Sequence, residues 1–317
     1  MINYFNKSSF LFNFLLILVL YTLLPGLSLA KDKTDSKATE EPEVKKIIWT
    51  GCGITKKAFM SEIAAAYKEK YGVTIDLKGG GATKGIRSAK SGESHLGGTC
   101  RLPMHNREEE SMLLKLVLVA WDALVVIVNK DTPISNIKKQ ELIDILEGKI
   151  IYWNELSGWQ GDKNSREEIQ LFTRRSKISG VGYTLRKMLF DDIDKEFVSD
   201  KYFPSSGPLE KAIEKEKFTL GVTGISSARK RNVKILSLDG ITPDYETIKS
   251  GHYTLYRPLY LTYTSLYRLP EAEKKEVRRF LAFIKSDEAA QIIRENRVVP
   301  FKDGFRLMKY RKDIFGN

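Results

Sequence analysis

The chain has 317 residues, a formal net charge of +12 at neutral pH, two cysteines and three histidines. Its basic residues are spread along the chain and carry no nucleic-acid-binding motif, so the charge points to small anions, a membrane surface or polyanions, and no nucleic-acid partner is expected. There is no CxxC pair and the histidines (His95, His105, His252) are scattered, which argues against structural zinc and c-type haem; neither a metal nor a cofactor is expected.

At the N-terminus, Lys7 precedes an apolar run from Phe10 to Leu24, followed by Ser28-Leu29-Ala30. A positive n-region, an apolar h-region and a small-x-small site form a secretory signal peptide, with cleavage expected after Ala30 and a periplasmic mature chain. The apolar run is shorter than the ~20 residues a membrane span needs. Residues 31–45 are polar and charged without aromatics, and read as a disordered leader.

The folded part begins with a β-rich run, "VKKIIWTGCG", that breaks at Gly51 and Gly53. An amphipathic helix follows, with Phe59, Ile63 and Tyr67 at a spacing of four and Gly72 as its stop. "VTIDLKGGG" is a second strand ending in three glycines, and "ATKGIRSAKSG" reads as a short helix behind it. A third strand around Leu96 runs into Gly97-Gly98-Thr99-Cys100-Arg101. Three glycine-rich strand-to-loop transitions in succession belong to an α/β protein with a largely parallel sheet, whose ligands collect beyond the carboxyl ends of the strands. Helix N-termini there suit an anion, and Lys56, Lys84, Arg87 and Arg101 thread the same loops.

Residues 116–129 are a long β run able to cross from one lobe to another. "KKQELIDILEGK" is a helix, "EIQLFTRR" a strand, and "SKISGVGYTLRKMLF" a helix that Ser179 can cap. Strand, basic pair, hydroxyl, glycine and helix thus repeat the anion-friendly construction in the second half. "FTLGVTGI", "VKILSL" and "LYLTYTS" are later strands, ahead of helices over 270–285 and 287–296.

Five stretches carry a family resemblance: "TGCGIT", "GGGATKGIR", "GKIIYWNELSG" (148–158), "RSKISGVGYTL" (175–185) and "GHYTLYRPLYLTYT" (251–264). They resemble the phosphate-binding proteins of ABC transporters, type II periplasmic binding proteins, over about Ile47 to Pro300. The resemblance implies an α/β fold of two lobes joined by a hinge: residues 46–123 with 256–317 in one lobe, 124–255 in the other. It implies a monomeric, non-catalytic protein that captures a small inorganic anion for a membrane transporter or a sensor kinase. Carried over residue by residue, the family's ligand contacts fall on Thr55, Ala82 with Thr83, Cys100, Arg175, Ser179 and Gly180, and Arg101 adds a cation beside them. Ala82 stands in place of a serine, Val181 of a threonine, and Cys100 of the aspartate that accepts a hydrogen bond from protonated phosphate.

Cys100 lies five residues after His95, but no third group is apparent to orient a nucleophile and base, so no enzyme is expected. An even cysteine count in an exported protein suggests a Cys52–Cys100 disulfide, which the family fold would set at the cleft wall. Free thiols leave the alternative open: a thiophilic ligand such as arsenite or a soft metal, held by Cys52 and Cys100.

Overall fold

A computed structural model describes residues 44–104, 106–110, 114–263 and 269–310. The expected signal peptide, most of the expected leader and His105 lie outside the described residues. Strand β1 (Lys46–Gly51) buries Ile47 and Trp49 and pairs in parallel with β2 (Thr74–Gly79) and β3 (Leu96–Thr99). Between β1 and β2 runs a helical stretch in three pieces: α1 (Gly53–Thr55), a π-helical segment (Lys56–Met60) and α2 (Ser61–Tyr71). Phe59, Ile63 and Tyr67 all turn into the core, and Gly72 ends α2 at φ 72°. Helix α3 (Gly81–Ser91) lies backbone to backbone against β3: a Cβ on Gly97 would sit 2.2 Å from the Gly85 carbonyl oxygen. Only glycine permits that approach.

Strand β4 (Lys115–Asn129) has fifteen residues. The chain continues through β5 (Asn136–Ile137), α4 (Lys139–Leu146), β6 (Gln170–Arg174), α5 (Gly180–Phe190) and β7 (Lys201–Phe203). Then come α6 (Ser206–Lys215), β8 (Thr219–Gly224), α7 (Ile225–Ala228), β9 (Val233–Ile235), β10 (Ser237–Leu238) and α8 (Tyr245–Ser250). It finishes with β11 (Tyr256–Tyr263), α9 (Glu271–Phe283), α10 (Asp287–Glu295) and β12 (Val299–Pro300).

The main sheet runs β2-β1-β3-β11-β4-β8-β6-β7, with β12 and β9 also paired to β4; β10 and β5 form a separate pair. Strand β4 changes partner partway along. Lys115 to Ala123 pair with β11, and Leu124 to Val128 pair with β8. One strand therefore belongs to two halves, and a continuous buried apolar cluster runs through both. Tyr67 packs edge-on against Phe280 in the first half, and Trp153 stacks on Trp159 in the second.

Candidate functional site

The ends of β1 and β3 are tied together where the Cys52 amide donates to the Gly98 carbonyl at 3.1 Å. This sets Cys52 at the N-terminus of α1, where its sulfur takes the place usually held by a serine or aspartate cap. Its Sγ accepts from the Thr55 amide at 3.3 Å and lies 2.8 Å from the Thr55 hydroxyl. Thr55, expected to contact a ligand, is fully buried with that hydroxyl on the sulfur. The Cys100 Sγ stands 3.4 Å from that of Cys52, and both thiols are free and buried. The expected disulfide is not formed here, although the sulfurs touch.

Burial by itself pushes the Cys52 thiol up. Hydrogen bonds from Cys100 and from the Thr55 hydroxyl and amide, with the Arg257 charge, outweigh it and bring Cys52 down to about 6. Cys100 goes the other way, raised by its hydrogen bond to Cys52, by burial and by the Cys52 charge. The two shifts run in opposite directions, and the surroundings favour a thiolate on Cys52 over one on Cys100.

Facing the sulfurs is the start of α5. Ser179 caps this helix, its Oγ accepting from the Gly182 amide at 3.0 Å. A Cβ on Gly180 would lie 2.2 Å from the Cys100 Sγ and 3.2 Å from the Ala82 Cβ. Ala82, Cys100, Ser179 and Gly180, four of the positions that the family resemblance implies for a ligand, thus lie together. Thr83 lies at the edge of this group and donates to the Ile178 carbonyl at 3.2 Å.

Two of the expected arginines are placed otherwise. Arg101 is buried and spends all five of its donors within the protein. Nε donates to the Ile178 carbonyl at 2.8 Å, Nη1 to the Leu102 carbonyl and Glu110 Oε2, each at 2.7 Å, and Nη2 to Thr83 Oγ1 at 3.1 Å and Glu110 Oε1 at 2.7 Å. No donor remains for an anion, so Arg101 is a brace and not a ligand contact. Burial would raise the Glu110 carboxyl, but the hydrogen bonds and charge of Arg101 hold it below its usual range.

Arg175 is exposed and has no side-chain hydrogen bond or ion pair among the described residues. Neighbouring residues on a strand point to opposite faces, and it is Arg174 that turns inward. Arg174 reaches the Pro204 carbonyl at 2.7 Å and the Ser206 hydroxyl at 3.1 Å. Burial lowers its affinity for its proton, and the charges of Cys100 and Cys52 partly restore it, which sets Arg174 in the field of the sulfurs.

The sequence reading assigned no role to Arg257. It is fully buried where β11 meets β4, opposite Asp122 in the register. Nη2 donates to Asp122 Oδ2 and Nη1 to the Gly180 carbonyl, both at 3.2 Å, while Nε has no partner. Asp122 Oδ1 also accepts from the Ser226 amide at 3.1 Å and hydroxyl at 2.5 Å. Burial alone would weaken the hold of Arg257 on its proton, but Cys100, Asp122 and Cys52 reverse this and raise it. An aspartate inside the apolar run "VAWDALVVIV" was the available signal, since a charge in such a strand requires a buried partner. At the opposite edge, Lys57 donates to the Ser227 hydroxyl at 2.7 Å and to the buried Glu210 at 3.3 Å, tying the first half to the second. Among the described residues, no group of three or more His, Cys, Asp or Glu side chains could hold a metal ion.

The ends of β1, β3 and β6, the starts of α3 and α5, and the inner faces of β4 and β11 therefore meet around two sulfurs and two guanidiniums. The comparisons agree with this architecture. Residues 36–288 match the family model of the PBP superfamily domain. The phosphate-binding protein PstS of Bacillus subtilis is 24% identical over 291 residues, covering 90% of this chain and 89% of that protein. Its namesake from Borreliella burgdorferi is 28% identical over 206 residues, 62% of this chain and 69% of that one. A structure described as that of a phosphate ABC transporter substrate-binding protein with bound phosphate, from Clostridium perfringens, superposes with a TM-score of 0.70 at 23% identity, covering 80% of this chain and 99% of that one. An ABC-type phosphate transport receptor from Vibrio cholerae gives 0.59 at 24% identity, with the same coverage. The chain has the two-lobed α/β fold of these binding proteins, and it belongs to the PBP superfamily.

Proposed function

We propose that this protein is an exported, monomeric solute-binding protein that captures a phosphate-like oxyanion between its two lobes and presents it to an ABC transporter or a sensor kinase. The lobes are residues 46–123 with 256–317, and residues 124–255. Export follows from the signal peptide and its cleavage after Ala30. The relatives named for phosphate binding support the ligand class. The observation that carries the reading is the unpartnered, buried Nε of Arg257, whose Nη1 reaches the Gly180 carbonyl at the start of α5, next to Ser179. Cationic donors and free helix amides at one point favour an anion. The reading assigns binding and no catalysis.

The test is calorimetry with inorganic phosphate. A charge-assisted contact is worth about 1.5–3 kcal/mol, so Arg174→Ala should weaken binding roughly tenfold to a hundredfold. Arg175→Ala should leave binding within about twofold, as expected of an exposed side chain away from the site. The reverse ranking would return the contact to Arg175. Phosphate that binds neither the parent chain nor the variants would end the oxyanion reading.

A second reading rests on the touching sulfurs: a thiophilic species such as arsenite or a soft metal held by Cys52 and Cys100. Arsenite bound by the reduced chain, and lost in Cys100→Ser while phosphate shows no heat, would favour it.

A further inference from the structure

We infer that Cys52 and Cys100 form a peroxide-reactive thiol pair, in which Cys52 attacks and Cys100 closes the disulfide. This goes beyond ligand capture and does not depend on it. The two sulfurs stand 3.4 Å apart, on loops anchored at the ends of paired strands. They need only close to about 2.0 Å to bond.

The surroundings of the two sulfurs set their order of action. Cys52 Sγ receives the Thr55 amide and lies against the Thr55 hydroxyl, donors that Cys100 lacks, while the Arg257 guanidinium acts on both sulfurs. Such donors and cations stabilise a thiolate, and the thiolate is the nucleophile. Cys100 Sγ has no comparable set of donors; it faces Cys52 on one side and Gly180 on the other. A buried cysteine kept only for packing would have apolar neighbours and stay inert. Cys52 has polar and cationic ones. A small crevice lined by Cys100, Arg101, Tyr183, Thr184, Lys187 and Arg257 reaches the Cys100 side of the pair, and a small oxidant has only the width of that sulfur to cross to Cys52.

Hydrogen peroxide is the simplest oxidant of this class. The Cys52 thiolate attacks one oxygen and the O–O bond breaks. Hydroxide leaves, and Cys52 becomes a sulfenic acid. The Cys100 sulfur then attacks the Cys52 sulfur, forming the S–S bond and breaking the S–O bond. The departing hydroxide takes up the Cys100 proton as water, and the first hydroxide is neutralised by solvent. Two thiols and one peroxide give one disulfide and two waters; two electrons pass from the sulfurs to the peroxide.

The experiment uses the chain purified under reducing conditions and treated with a small excess of hydrogen peroxide, followed by thiol counting and intact mass. We expect both thiols to be lost with the mass of two hydrogens. In Cys100→Ser the reaction should stop at a sulfenic acid on residue 52 that dimedone traps. In Cys52→Ser the remaining thiol should react on the order of tenfold more slowly, having lost the activated partner. Should either variant fold poorly, peptide mapping of the parent chain, treated with peroxide in the presence of dimedone, identifies the first sulfur oxidised. Two thiols surviving under conditions that consume free cysteine would overturn the inference. So would a first adduct on Cys100.

Discussion

Gly180 is fixed by the sulfur in front of it. A methyl group added there would stand 2.2 Å from the Cys100 Sγ, well inside contact distance. Overpacking of this kind costs about 1–3 kcal/mol, so Gly180→Ala should lower the unfolding midpoint in urea, and Cys100→Ala should restore most of the loss. Equal destabilisation with and without Cys100→Ala would show that the clash is not with sulfur. The neighbouring Cys52 makes a prediction about pH. Only the thiolate reacts with iodoacetamide, so labelling of Cys52 should rise as pH increases through about 6. The charged and titratable groups coupled to it are Cys100, Arg257 and Arg174, with Asp122 acting on Cys100 and Arg257 behind them. Thr55→Val removes one hydrogen bond that holds the thiol down, so the labelling midpoint should move to higher pH. A midpoint near the ordinary thiol value in the parent chain would refute the assignment of charge to Cys52.

At the scale of elements, β4 crosses between the halves and β11 pairs with its first part, where Asp122 and Arg257 face each other. Breaking one partner of a buried pair costs about 3–5 kcal/mol, whereas replacing both with apolar residues is often neutral. Arg257→Met should therefore destabilise strongly, and Asp122→Leu with Arg257→Met should recover much of the loss, both read by chemical denaturation. Simple additivity of the two single costs would argue against a coupled pair. Most of these elements were legible in the sequence because their signals are local. Glycine ended the early strands, a spacing of four marked α2, and Ser179 announced α5. The short β7 and the helix α6 were not foreseen, because "KYF" is too brief for a pattern and Gly207-Pro208 inside "SGPLEKAIEK" reads as a turn. The site divided along the same line. Ala82, Cys100, Ser179 and Gly180 came from the family resemblance, whereas the choice between Arg174 and Arg175 depends on which way the chain faces at the end of a strand. The brace of Arg101 on Glu110 and the meeting of Asp122 with Arg257 join residues 9 and 135 apart, and spacing alone does not show them.

At the scale of the whole molecule, the two halves are fastened on both sides of the sulfur pair. Lys57 reaches Ser227 and Glu210 at one edge, and Arg101 and Thr83 share the Ile178 carbonyl at the other. Between these fastenings the Cys100 sulfur stands directly against Gly180, beside the hydrogen bonds of Arg257 to the Gly180 carbonyl and of Thr184 to the Cys100 carbonyl. That makes Cys100 a doorstop waiting to be fitted. In a Cys52→Ser background, a maleimide coupled to Cys100 must take the space where Gly180 stands, and should wedge the halves apart. The radius of gyration from small-angle X-ray scattering should increase on coupling, with no change when the reagent is added to the same chain carrying Cys100→Ala. An unchanged radius on full coupling would mean that the added group escapes along the crevice beside Tyr183. A wedge that works gives a chemical handle for holding the molecule open, installed at a single atom.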